Sequence, residues 1–187
     1  MHEDLLLEEL VELVDDVGRR TGTMGEFAAH RSPGKRHRAF SAFLFDPDGR
    51  LLLQRRAAGQ HRSPGLWSNS CGGHPRPGEA PVQAAKRRIT DELLVLPDAL
   101  AQLGTITYRL TDPMSGLTEH EYNHVFVGYV LGPPLPDPEE VADIAMVTAA
   151  ELRQMLGREL FSARFEAVAQ VALTGASALL PGLAAGA

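Results

Sequence analysis

The segment GGHPRPGEAPVQAAKRRITDELLV, Gly72–Val95, runs from a glycine- and proline-rich loop straight into an amphipathic helix. Val82, Ala85, Ile89 and Leu93 recur at helical spacing on one face, and Pro81 suits a first turn, where a missing N–H costs nothing. Gly73 is followed after five residues by Glu79, and eight positions further on RRITDELL places Arg87, Arg88, Asp91 and Glu92 in the helix. Arg88 and Glu92 are four apart and share a face, where a carboxylate can hold a divalent cation and a guanidinium a phosphate oxygen. Spacing alone is satisfied equally by a solvated helix face carrying i,i+4 ion pairs.

On the upstream side, HRSPGLWSNSCGGHPRPG (His61–Gly78) has no sustained period and reads as a long loop, a kind of segment that is often functional in a compact domain. Before it, AFSAFLF (Ala39–Phe45), DPDG and RLLLQRR predict a β-hairpin, with apolar runs on both sides of a turn sequence. Earlier still, after a short amphipathic lead, VELVDDVGRRTGTM reads as a strand, a polar glycine turn and a second extended piece. Downstream, LGTITYRL (Leu103–Leu110) and YNHVFVGYVLG (Tyr122–Gly132) carry the β-branched and aromatic residues of strands, joined by the turn-rich TDPMSGLTEHE. TAAELRQML and SARFEAVAQVALTGASALL predict two helices, and PGLAAGA a frayed end at about 181–187.

With 187 residues and no solenoid-period repeat, the chain is expected to form one domain over 1–187, with its core at about 11–166. A single cysteine excludes an intrachain disulfide. The net charge of −6 argues against broad nucleic-acid binding, since duplex affinity comes from clustered Lys and Arg. No apolar run approaches the roughly 20 residues of a membrane span, and MHEDLLLEEL is acidic where an export signal needs basic residues, so the cytoplasm is the expected compartment. Nothing in the sequence sets the oligomeric state.

Histidines and acids recur outside the helix: His30 and His37 in FAAHRSPGKRHRAFS, His74 in GGHP, and Glu119 and Glu121 in TEHEY. If the last segment is extended, alternation puts both carboxylates on one side of the chain. Imidazoles and carboxylates from separate segments can converge on a transition metal, but spacing alone does not show that they do. The Gly73–Val95 pattern resembles a degenerate Nudix box, with Asp91 and Glu92 standing for its paired acids and Leu94 where a glycine is expected. FAAH, HRAFSAFLF, LLLQRRA, PGLWSNSCGGHP, RRITDEL, YRLTDP and TEHEY, in this order, resemble the type 1 isopentenyl diphosphate isomerase family from about residue 11 to 166. The resemblance implies an α/β (α+β) domain, a Nudix-like mixed-sheet sandwich flanked by helices. It also implies a divalent metal (Mg2+, Mn2+ or Zn2+) at His30, His37, His74, Glu119 and Glu121, and a second Mg2+ near Glu92 that bridges to a diphosphate substrate. Phosphate contacts fall to Arg56 and Arg88, and acid–base work to a cysteine, Glu121 and Tyr108. Moving an isoprenoid double bond means protonating an unactivated alkene to a carbocation, which a carboxyl beside a metal can do. Trp67 offers either an aromatic face to that cation or a structural anchor.

The chain departs from the family pattern at four places. The family cysteine falls on Gly72, whereas Cys71 is its neighbour and, in an extended segment, would point to the opposite face; rotation at Gly72-Gly73 is the route by which it could still reach the site. A family lysine falls on Glu26, a loop cation near Gln60 or His61 is weakened with Arg62 as a substitute, and Arg164 stands where the family places a cation-facing tryptophan. These changes point to a divergent enzyme in which Glu121, with Tyr108, protonates an isoprenoid or prenylated substrate and the cation ends in isomerisation or in terpene-cyclase-like cyclisation. The alternatives are an ordinary isopentenyl/dimethylallyl diphosphate isomerase using Cys71 or another base, a Nudix-type diphosphate hydrolase, and a non-catalytic metal-binding protein.

Overall fold

The computed structural model describes residues 9–179; the start of the amphipathic lead and the frayed end expected at 181–187 lie outside them. Nine strands and four helices follow in chain order: β1 Leu10–Val14, β2 Arg20–Gly25, α1 Glu26–His30, β3 His37–Phe45, β4 Leu51–Arg56, β5 Trp67–Ser68, β6 Cys71–Gly73, α2 Pro81–Leu93, β7 Asp98–Thr111, β8 Thr118–Tyr129, β9 Val141–Val147, α3 Ala149–Leu156 and α4 Phe165–Leu179.

The predicted hairpin turns where expected, but its two arms pair only at Phe45↔Leu51. Beyond that point β6 takes the free edge of β3, antiparallel from Phe40↔Gly73 to Ala42↔Cys71, while β4 pairs β9 on one side and β5 on the other. Ser70 holds the divergence open: its hydroxyl accepts from Leu44 N–H (2.8 Å) and donates to the Leu52 carbonyl (2.6 Å), satisfying one backbone group on each arm. On its other edge β3 runs parallel to β8 in nine pairs, from His37↔Glu121 to Phe45↔Tyr129, and β8 returns antiparallel to β7. The segment 61–78, read as loop, therefore contains two short strands, whose backbone bonds come from distant partners and not from any local period.

Strand alternation sorts the core into two layers. Phe43, Phe45, Leu53, Val125 and Val127 face α3 and α4, where Leu152, Phe165, Val168 and Ala172 complete the cluster. Phe40, Ala42, Leu44, Leu52 and Phe126 face α2 and its buried Ala84, Ala85, Ile89 and Leu93. Helix α2 ends at Leu94, which adopts the left-handed conformation (φ 51°) that glycine adopts more readily and leaves its side chain 63% exposed. Thr148 and Glu151 close a reciprocal capping box at the start of α3. Besides β5 and β6, two further elements were not foreseen: α1, too short for a periodic signal, and β9, whose polar and small residues interrupt the apolar alternation.

Candidate metal centre and acid–base site

His30 ends α1, His37 begins β3, His74 directly follows β6 and Glu121 lies on β8 opposite His37 in the parallel ladder. One ligand atom from each lies within 4.8 Å of the others. Two of the imidazoles are oriented by the backbone: Nδ1 of His30 donates to the Glu26 carbonyl (2.8 Å) and Nδ1 of His37 to the Lys35 carbonyl (2.7 Å). That tautomer leaves a lone pair on each Nε2. The buried Nε2 of His30 has no hydrogen-bond partner among the described residues, and Nε2 of His37 stands 3.2 Å from Nε2 of His74. Facing nitrogens with an orphaned lone pair and one carboxylate are the donor set of a divalent metal site, and the residues fit such an ion.

The electrostatics agree. Burial, reinforced by Arg62 and His74, pushes His30 down to about 3, and burial with His74 pushes His37 down to about 4, so both imidazoles are neutral near neutrality, the form that can coordinate a metal. Burial also opposes charge on His74, but hydrogen bonds to Glu121 and Glu26 outweigh it and raise this imidazole. Burial would raise Glu121, yet His74 holds it well below the usual carboxylate range.

Glu121 is also the acceptor of an acid–base cluster. The β7–β8 register pairs Tyr108 with Glu121, and the Tyr108 hydroxyl donates to Glu121 Oε2. The Asn123 amide donates to both, at 3.1 Å to Tyr108 Oη and 3.0 Å to Glu121 Oε2. Burial, then Glu121, raises the Tyr108 hydroxyl far above its ordinary range, keeping its proton in place at rest. Asn123 was missed in the sequence; it is two residues past Glu121 and thus on the same strand face, which was the available signal.

The other expected residues distribute as follows. Glu119 stands outside the four-atom group, with Oε1 3.4 Å from Arg62 Nε and 3.9 Å from Arg164 Nη1. Glu92 lines a cavity of about 260 Å³ beside the histidines, and both of its oxygens are engaged, by Arg88 (2.7 Å) and Gln54 (3.1 Å). Arg88 also reaches Glu140 (3.2 Å). Arg56 lines the cavity, donating to the Arg62 carbonyl and to Gln60, and burial lowers it to about 10. Glu26, where the family pattern has a lysine, binds Arg62 (3.0 Å) and stands 3.4 Å from Nδ1 of His74, so it orients that imidazole from behind.

Two of the named residues lie away from the cavity. Trp67 does not line this cavity; β5 turns its ring onto the α4-side core. Cys71 is fully buried with Ala84, Ala85 and Ile89 under α2, and burial, then Glu92, raises its thiol well above the ordinary value, leaving no thiolate to act as a base. Rotation at Gly72-Gly73 does not occur, because Ser41↔Gly72 and Ala42↔Cys71 are ladder pairs.

Comparison with known proteins converges on one family. A NUDIX domain model matches residues 35–167. The chain is 54% identical over 175 residues to an isopentenyl-diphosphate Delta-isomerase of Streptomyces griseus, covering 90% of this chain and 89% of that protein, and 42% identical to one of Halorhodospira halophila over 84% and 89%. The solved structure of DR0079 from Deinococcus radiodurans shares the fold, at a TM-score of 0.70 and 21% identity over 87% of this chain and 99% of its own. A Nudix-fold sandwich and this identity along nearly the whole length together place the chain in the Nudix family and, within it, in the isopentenyl-diphosphate Delta-isomerase family.

Proposed function

We propose that the protein protonates the carbon–carbon double bond of an isoprenoid diphosphate and, in its simplest turnover, interconverts isopentenyl and dimethylallyl diphosphate. The observation that carries this reading is the Tyr108–Glu121–Asn123 cluster built onto the same carboxylate that joins the three histidines. His30, His37, His74 and Glu121 would hold a divalent cation, for which three imidazoles and a carboxylate suit Zn2+ or Mn2+ better than Mg2+. Bound there, the cation supplies Lewis acidity that makes a carboxyl a stronger proton donor.

The chain's own residues do the rest. At rest Glu121 is a carboxylate and Tyr108 carries the proton, so Tyr108 passes it along their hydrogen bond to Glu121, Glu121 delivers it to the alkene carbon, and the Tyr108 oxygen is reprotonated from solvent once the cation has lost a proton. Asn123 fixes both oxygens, so little reorganisation accompanies the transfer. Arg56 and Arg88 hold the diphosphate, and Glu92 would help to hold a second Mg2+, which would offset the diphosphate charge.

A second reading, cyclisation of a larger prenyl substrate, is favoured by one specific observation: the position of the family cysteine is a glycine, and the thiol beside it is buried away from the cavity. A cation formed opposite Gly72 then meets no thiol to take its proton. Incubating the pure protein with isopentenyl diphosphate in D2O, with Mg2+ and either Zn2+ or Mn2+, separates the readings. Deuterated dimethylallyl diphosphate is the expected product. Deuterium uptake only by longer prenyl diphosphates, with loss of a double bond, would favour cyclisation, and release of inorganic phosphate would indicate hydrolysis instead.

A further inference from the structure

Gly72 and Arg164 meet at the cavity wall. A Cβ placed on Gly72 would lie 2.7 Å from Arg164 Nη2 and 3.0 Å from its Cζ, so the guanidinium stands in the volume that any side chain at 72 would enter. The adjacent glycine is different: a Cβ on Gly73 would make ordinary contact with the Phe40 ring at 3.4 Å. Arg164 is only 3% exposed, yet its Nε has no hydrogen-bond partner among the described residues and the carboxylate nearest it, Glu119, stands at 3.9 Å. Buried guanidinia are ordinarily forked onto carboxylate or phosphate oxygens, and Arg164 has donors left over. Arg56 lines the same cavity, is 9% exposed, and uses Nε and Nη2 on neutral oxygens of Arg62 and Gln60. By contrast Arg87, also at this cavity, is committed to Glu79 by two hydrogen bonds.

We propose that Arg164, admitted by the missing side chain at Gly72, is a specificity-determining residue that takes an oxyanion of the substrate inside the cavity together with Arg56. The oxyanion is either a phosphate oxygen of the diphosphate or a carboxylate carried on the isoprenoid chain. Both present paired oxygens to a planar fork of N–H donors. The inference rests on the cavity being the substrate site of the function proposed above, but not on the alkene being protonated there.

Calorimetric titration of the full chain tests it, using inorganic diphosphate and, separately, 3-methylbutanoate, a five-carbon chain ending in a carboxylate. Arg164→Gln is expected to weaken one of these probes about ten- to a hundredfold, the loss that follows removal of a charged hydrogen bond. Gly72→Ala, which keeps the charge but displaces the guanidinium, should weaken the same probe by a similar factor, while Arg87→Gln should change it no more than about twofold. Loss confined to diphosphate assigns the oxyanion to the phosphate end, and loss confined to 3-methylbutanoate assigns it to a chain carboxylate. Equal affinity of wild type, Arg164→Gln and Gly72→Ala for both probes overturns the proposal. Binding losses without turnover of isopentenyl diphosphate would sink the proposed isomerisation alone, and turnover with unaltered binding would sink this inference alone.

Discussion

The histidine–carboxylate cluster and the Gly72–Arg164 wall adjoin one cavity but are built on different terms. In the cluster, His37 and Glu121 are partners in a ladder of nine pairs, Tyr108 faces Glu121 in a second ladder, and two of the three imidazoles are tied to main-chain carbonyls. His74 alone of these groups takes its ring contacts from side chains, those of His37, Glu121 and Glu26. The wall is held by side chains: Glu26 on Arg62, Arg62 and Arg164 around Glu119, and Arg88 between Glu92 and Glu140. The proposed proton-donating cluster and the substrate-facing wall are therefore separable, since the wall can be exchanged without touching the ladders that hold the cluster.

The largest effect should come from breaking the cluster. Glu121→Gln keeps the shape and removes the carboxylate, and turnover of isopentenyl diphosphate should fall by about a thousandfold or more; Tyr108→Phe should cost about a hundredfold. Rates within tenfold of wild type for Glu121→Gln would mean that the proton comes from the wall instead. Next, chelation or His74→Ala should empty the metal site. Elemental analysis should fall from one ion per chain toward none, and the melting temperature should fall with it, as for any ion that binds only the folded state. An unchanged metal content in His74→Ala would break the proposed ligand set.

A double-mutant cycle measures how tightly the wall is coupled. Gly72→Cys alone should destabilise by about 1 kcal/mol, because its Cβ would sit 2.7 Å from the guanidinium end of Arg164 and that end must move, and Gly72→Cys with Arg164→Ala should recover about half of that loss. Additive losses in chemical unfolding would show that the two residues do not share one volume. His124, an imidazole outside both halves, calibrates the pH response: burial, then Arg38, lowers it from an ordinary 6.5 to about 4. Its folded-state value is depressed, so its contribution to stability is complete above about 6.5 and fades as pH falls toward 4. The melting temperature of His124→Gln should fall less over that interval than wild type, and parallel curves would contradict the shift. The smallest effect is expected at Leu94→Gly, which relieves a left-handed residue with little loss of packing and should gain about 0.5 kcal/mol in denaturant melts, an effect that leaves both halves untouched.

Much of this was legible in the sequence because local patterns encode it. Helix α2 announced itself by Val82, Ala85, Ile89 and Leu93, the turn between β3 and β4 by DPDG, and α3 by TAAELRQML. What remained hidden depends on register between distant segments. No spacing rule shows that Tyr108 faces Glu121, that β6 displaces β4 from the edge of β3, or that Glu26 backs His74. Arg164 could be read as a charge in the wrong place, but not as one standing in the space vacated at Gly72, because that depends on how α4 docks on the sheet.

The Ser70 hydroxyl, bridging Leu44 and Leu52, bears on how such a site can change over generations. By holding the two arms apart it lets β6 enter as a strand of three residues, pinned at its edges by Cys71 in the core and His74 at the cluster. A replacement at the middle position, Gly72, alters what faces the cavity while leaving the ladders of β3 and β8 intact. The splayed turn thus gives the domain one position where new reactivity can arise without disturbing the ladders, provided that Arg164 changes with it, so divergence in chemistry is expected to concentrate at 72 and its facing residue before it reaches the histidines.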